Sequence, residues 1–181
     1  PQEIAELQQV LQPLAAQGAN TVCYRVDDPV RGVRFFQPNG ELVNKETGDA
    51  FKELAQDIRD HYMVALVSLF SYNPSYHLES TEAYELAGTR AAALLTGRYS
   101  TIFVLGDLAP RRLAGQKLPD ALTDIDTLLR IAHRIEIACK DSIFAIPAEV
   151  DPHHEKEAWL YVADSSESLR VWLNAKQQGR A

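Results

Sequence analysis

Four apolar runs of strand length, each stopping at a polar loop, limit what this chain can become. Residues 64–70 run into Ser71-Tyr72-Asn73-Pro74, and residues 101–105 run into Gly106-Asp107. Residues 142–146 run into Pro147, with Glu149, Asp151, His153 and His154 beyond it, and residues 158–162 run into Asp164-Ser165-Ser166. Long helical patterns follow the first two runs and a short one follows the last. Such alternation of strand and helix implies an α/β sheet. Open parallel sheets collect ligands at the carboxyl ends of their strands, where these loops sit. The pattern locates a site without naming its chemistry.

The expected fold is a three-layer α/β domain. Its sheet is mixed but mostly parallel, with an N-terminal helix and an edge hairpin, in one domain spanning 1–181. Ile4, Leu7, Val10, Leu11 and Leu14 predict a helix over 3–17, stopped by Gly18 and ended or kinked near Gln12 by Pro13. Residues 21–26 and 33–37 read as the two strands of an antiparallel hairpin, and Pro38-Asn39-Gly40 as a turn. Thr47-Gly48-Asp49 reads as a second turn before a helix over 50–62. A helix over 79–95 carries the small-residue stripe Ala83, Ala87, Gly88, Ala91 and Ala92, suited to close approach to a sheet. A longer helix, 119–139, is apolar over more than half its circumference. The runs near 143 and 158 are joined only by a loop, so they are expected to pair antiparallel. A final helix starts at Asp164-Ser165-Ser166, whose side chains suit a helix cap.

At 181 residues the chain can bury one substantial core. A net charge of -7 and a pI near 5.2 argue against general binding to nucleic acid or anionic membranes, which requires a basic face. No apolar stretch approaches the roughly 18 residues of a membrane span, and no signal peptide is visible, so a cytoplasmic location is expected. Two cysteines, Cys23 and Cys139, read as buried inert thiols and not as a secreted scaffold. Pro1 at the start fits both removal of an initiator Met and excision from a longer chain.

The densest group of ligand-type side chains is Asp151-Pro152-His153-His154-Glu155-Lys156-Glu157. Its spacing matches neither a helical His pair nor a finger, and adjacent residues of an extended segment point opposite ways, so no metal site is assigned. The strand-end loops yield a candidate catalytic set of Ser71, Asp107, Glu149 and His153: a hydroxyl, two carboxylates and an imidazole. Tyr72, Asn73 and Tyr76 form a candidate ligand face, since loop aromatics stack planar groups. Arg111 and the amide-rich start at Ser165 suit an anion. No phosphate-loop or dinucleotide motif is present, and no cofactor is indicated.

One ordered set of short motifs resembles the Arg–Ser–Glu class of ADP-ribosyltransferases. Arg25 ends a Tyr-Arg pair, Ser100-Thr101 begins a later strand, and Glu155-Lys156-Glu157 precedes Ala158-Trp159-Leu160. The resemblance implies that the arginine and the hydroxyls would hold a nicotinamide cofactor and that Glu157 would be catalytic. The long apolar helix between the second and third motifs departs from that family. With no motif naming a reaction, the first reading is a regulatory or ligand-sensing domain without catalysis, binding a small molecule or a protein partner. The alternative is a hydrolase or group-transfer enzyme acting at the strand ends. The apolar helices 119–139 and 4–14 lead to the expectation of a homodimer.

Overall fold

Among the described residues five parallel strands lie side by side in the order in which the chain makes them, β1-β2-β3-β4-β5. They are β1 Thr21–Arg25, β2 Val64–Ser68, β3 Thr101–Val104, β4 Ile143–Pro147 and β5 Leu160–Val162. The helices are α1 Gln2–Ala16, α2 Lys45–Asp60, α3 Thr81–Leu95 and α4 Ile125–Ala138, with 3-10 turns at Pro74–Tyr76 and Asp120–Leu122. This computed structural model describes residues 2–96, 100–107, 119–140, 142–147 and 160–162.

The register shows which face does what. Tyr24, Val67, Phe103 and Phe144 stand in one row across the sheet, and all four are buried. Tyr24 stacks on Phe51 of α2 with ring centres 5.9 Å apart, so this row faces the helices. Strand side chains alternate, so Cys23, Leu66, Ile102 and Ile143 face the other way. There Leu66, Ile102 and Ile143 are half-buried and Cys23 is exposed. Its exposure corrects the expectation of two buried thiols; Cys139 is half-buried, and neither is bonded.

The helices pack in chain order, α1 on α2, α2 on α3 and α3 on α4. A helix on the opposite face could not touch its predecessor, so all four cover one side of the sheet. Strands added always on the same flank, by crossovers of one hand, produce this arrangement. The small-residue stripe of α3 therefore serves helix–helix packing as well as the sheet. A Cβ on Gly88 would stand 3.0 Å from Ile135 Cδ1 and 3.2 Å from Ile131 Cγ2, both on α4.

The α/β class holds, with local differences from the pattern. β4 and β5 pair in parallel, Ala145 beside Leu160, instead of antiparallel. The segment 33–37 forms no strand. Among the described residues only two antiparallel bridges occur, Asp28 with Val33 and Phe36 with Leu42, because a side chain replaces the ladder: the buried Asp27 carboxyl takes the amides of Phe35 and Phe36. Asn44 caps α2 by accepting from Thr47 N at 2.8 Å, so the helix starts five residues early and absorbs Gly48. Likewise Asp124 caps α4 at Thr127, which leaves 119–123 outside it. Pro13 is accommodated inside α1, which runs on to Ala16.

On α4 the buried face is Leu128, Ile131, Ala132 and Ile135, while Ile137 is 64% exposed. The helix is amphipathic and not apolar on most sides. No helix among the described residues is long and apolar enough to cross a membrane.

One buried hydroxyl in the helix-facing row, that of Tyr24, has no hydrogen-bond partner among the described residues. Burial also drives its pKa upward, because the phenolate is the form penalised by desolvation. Removing such a group spares its desolvation cost and leaves the ring stacking on Phe51 in place. Tyr24→Phe is expected to be neutral to stabilising, by up to about 1 kcal/mol, in chemical denaturation. A loss of 1 kcal/mol or more would show that the hydroxyl is satisfied in solution.

Candidate active site

The last residue of β1 reaches across the sheet. Arg25 Nε donates to Asp107 Oδ1 at 2.8 Å, passing over β2 to the loop after β3. The other oxygen, Oδ2, accepts from Ser71 Oγ at 3.3 Å and from the Tyr72 amide at 3.2 Å, both after β2. Ser71 Oγ in turn accepts from Asn73 N at 3.2 Å, and Ser68 Oγ donates to the Gly106 carbonyl at 2.8 Å. Groups from the ends of β1 and β2 thus converge on one carboxylate from the end of β3, which is only 6% exposed.

Register explains the convergence. Arg25, Ser68 and Val104 occupy one row on the side away from the helices. Ladder bonds then continue past the strands, with Val26 N to Ser68 O at 3.1 Å and Leu69 N to Val104 O at 3.1 Å. The loops therefore leave the sheet together and diverge only after Ser71 and Asp107 have met.

A second carboxyl lies just below. Asp27 is 3% exposed, and its Oδ1 accepts from Phe35 N at 2.6 Å and Phe36 N at 3.4 Å. Burial raises its pKa from 3.8 to about 7; the nearby Asp107 charge adds to the rise, while the two amides and Arg34 oppose it. Asp28 closes the adjoining loop by accepting from Val30 N and Arg31 N, and its carboxylate lies 3.9 Å from both Arg25 and Arg31. Farther out, the Arg34 guanidinium lies 5.3 Å from the centre of the Tyr76 ring. A cavity of about 130 Å³ opens beside β1, lined by Tyr24, Arg25, Asp28, Arg31, Val33 and Phe51 among others.

Of the residues expected at the site, the structure brings Ser71 and Asp107 into contact. Tyr72 joins them through its amide. Asn73 has a local task as well: its side chain accepts from Ser75 N at 3.0 Å and caps the turn Pro74–Tyr76. Glu149, His153, Arg111 and Ser165 lie outside the described residues. Among the described residues no cluster of three metal-ligating side chains occurs.

The nicotinamide arrangement fails on geometry. Thr101 pairs with Ala65 and so shares a row with Val22, three residues before Arg25 and toward the opposite end of the strands. Its hydroxyl is spent on the Leu95 carbonyl at 3.2 Å. Arg25 pairs with Asp107 instead, while Glu155 and Glu157 lie outside the described residues.

Asp27 and the partnership of Arg25 with Asp107 were not foreseen. The signal was present: the run at 21–26 also stops at a polar loop, Asp27-Asp28. Treating that run as a fifth sheet strand, and not as a hairpin arm, would have put Arg25, Asp27 and Asp28 at the same sheet end as Ser71 and Asp107.

No protein-family model and no curated protein matches the chain. Solved structures do. The chain is similar to XacCel5A in complex with cellopentaose, at 15% identity and a TM-score of 0.58, over 91% of this chain and 51% of that one. It is similar to a glycoside hydrolase 5 lichenase from Caldicellulosiruptor sp. F32 bound to cellotetraose, at 12% identity and a TM-score of 0.55, over 88% and 48%. It is also similar to the virulence factor SghA from Agrobacterium tumefaciens, at 10% identity and a TM-score of 0.59, over 97% and 42%. The chain spans about half or less of the length of these structures. At such identities the likeness shows the fold alone. Sequential parallel strands with the described helices all on one side are the arc of a (β/α) barrel, and that is the architecture this chain shares with these solved structures.

Proposed function

We propose that the chain carries the substrate site of a carbohydrate-cleaving hydrolase at the carboxyl ends of its parallel strands. The Arg25–Asp107–Ser71 network carries this reading, because it assembles charge and hydroxyl groups from three strand ends where barrel enzymes place their chemistry. Sugar hydroxyls both donate and accept, and Arg25, Asp107, Ser71 and Asn73 together offer both roles. Tyr72 and Tyr76 add aromatic faces on which a sugar ring can rest. Glycosidic cleavage uses two carboxyl groups, one protonating the leaving oxygen and the other attacking or stabilising the sugar carbon. In this reading Asp107 follows β3 and supplies one. Glu149, following β4, supplies the other, with His153 in the wider site.

The test is hydrolysis of cello-oligosaccharides and of p-nitrophenyl β-glucoside by the purified protein. Asp107→Asn and Glu149→Gln are each expected to lower kcat by about 10²–10⁴-fold. A variant series in which neither change alters turnover sinks the assignment.

One observation favours a second reading, ligand sensing without catalysis. Both oxygens of Asp107 are already engaged by the chain's own groups. Such a carboxylate braces a pocket more readily than it attacks a substrate. Stabilisation by an oligosaccharide without any turnover, unchanged in Glu149→Gln, decides for this reading.

A further inference from the structure

We propose that the cavity beside β1 binds a small oxo acid, taking its carboxylate at Arg31 and its oxo oxygen at the Tyr24 hydroxyl. Two independent observations point to a ligand there. One is the cavity with its two-sided lining. The other is a buried donor in its wall that no described group satisfies.

The cavity has an apolar side and a charged side. Ile4 and Leu7 of α1 and Phe51 and Leu54 of α2 make the apolar side. Asp28, Arg31 and the end of β1 at Arg25 make the charged side. Its volume of about 130 Å³ is close to the roughly 150 Å³ of an apolar cavity that holds one benzene ring. A ligand body of about five or six carbons therefore fits, and a larger one does not.

Tyr24 stands in the wall of this cavity, is 7% exposed, and has no hydrogen-bond partner for its hydroxyl among the described residues. Burial raises its pKa, so the hydroxyl keeps its proton and offers an O–H donor. The four apolar side chains across the cavity carry no acceptor for it. A buried donor costs stability until something accepts from it. An oxygen on the ligand body supplies that acceptor.

The charged side selects an anion. Asp28 Oδ1 accepts from Val30 N and Arg31 N, and Arg25 Nε is committed to Asp107 at 2.8 Å. Arg31 approaches Asp28 only to 3.9 Å, beyond hydrogen-bond length, and its side chain is 56% exposed. Its planar fork thus remains available to a carboxylate. Two guanidinium groups and one carboxylate line the cavity, a balance that favours a negative ligand. A neutral sugar matches neither the apolar side nor this charge, so the site goes beyond the proposed substrate site and does not rest on the hydrolase reading.

Calorimetric titration of the intact protein with 4-oxopentanoate and 4-methylpentanoate tests it. The two acids have nearly the same shape and differ by an oxygen in place of a methyl group. The oxo acid is expected to bind about fivefold more tightly, the worth of one neutral hydrogen bond. In Tyr24→Phe, which keeps the ring on Phe51 and loses only the hydroxyl, that preference should vanish while 4-methylpentanoate binds as before. In Arg31→Gln both acids should weaken by about tenfold. Equal affinities in the wild type, or a preference that survives Tyr24→Phe, overturns the assignment of the hydroxyl. Affinities unchanged by Arg31→Gln, or no binding of either acid at about 10 mM, overturns the site. Sugar hydrolysis enters none of these readouts, so the two ideas fall separately.

Discussion

Substitution of Gly40 by alanine is expected to destabilise the protein by about 3 kcal/mol or more. A Cβ there would stand 2.2 Å from the Ala83 carbonyl oxygen and 2.9 Å from its carbon, inside any permitted contact. The obstacle is helix backbone, which cannot swing aside as a side chain can. The turn cannot lift away cheaply either. Gly40 N donates to Gln37 O, and Glu79 N donates to Pro38 O, both at 2.9 Å, which docks 37–40 onto the start of α3. The φ of 84° adds the left-handed penalty of any side chain. Gly32→Ala separates the two effects. Its φ is also positive, at 70°, but nothing lies within 4 Å of the added carbon, so about 1 kcal/mol is expected. Urea unfolding of both variants checks the difference. Equal losses would show that the turn slides off α3 without cost.

Arg25→Met should cost about 3 kcal/mol, because it takes away the guanidinium that pairs at 2.8 Å with the nearly buried Asp107 carboxylate. Arg25 keeps 21% of its side chain exposed, so solvent softens the loss relative to a fully buried pair. The double variant Arg25→Met/Asp107→Asn removes both charges while keeping an acceptor for Ser71 and Tyr72. It is expected to recover more than half of the single-variant loss. A double variant no better than the single one would place the cost in lost packing of the arginine stem and not in the lost ion pair.

The strand-end reading found Ser71 and Asp107 because each strand is short, apolar and followed at once by a polar residue, a signal confined to a few neighbouring positions. Arg25 escaped it because its strand was joined to 33–37 by a turn composition that does exist there. The turn is real, but a carboxyl and not a second strand receives the returning amides. Pairing direction escaped for a different reason. Apolar alternation is the same in parallel and antiparallel strands, so only the connection can tell them apart. Residues 148–159 between β4 and β5 are about the dozen that a parallel crossover needs, and that length was the available clue. Helix starts were misplaced wherever a cap outranked composition. Asn44 and Asp124 each bond an amide three residues on, and neither stood out among the other polar residues around it. Glu149 and His153 rest on sequence alone.

Because strands and helices touch mainly the units made just before them, the chain can add structure as it leaves the ribosome, each βα unit settling on a finished neighbour. The Arg25–Asp107 pair breaks that rule. It joins positions 82 residues apart and skips a strand, so it cannot form until the third strand has docked. Until then Arg25 waits at the sheet end without that partner. The bond at the candidate site is thus a late one, and it reports in a single contact that three units have assembled in register.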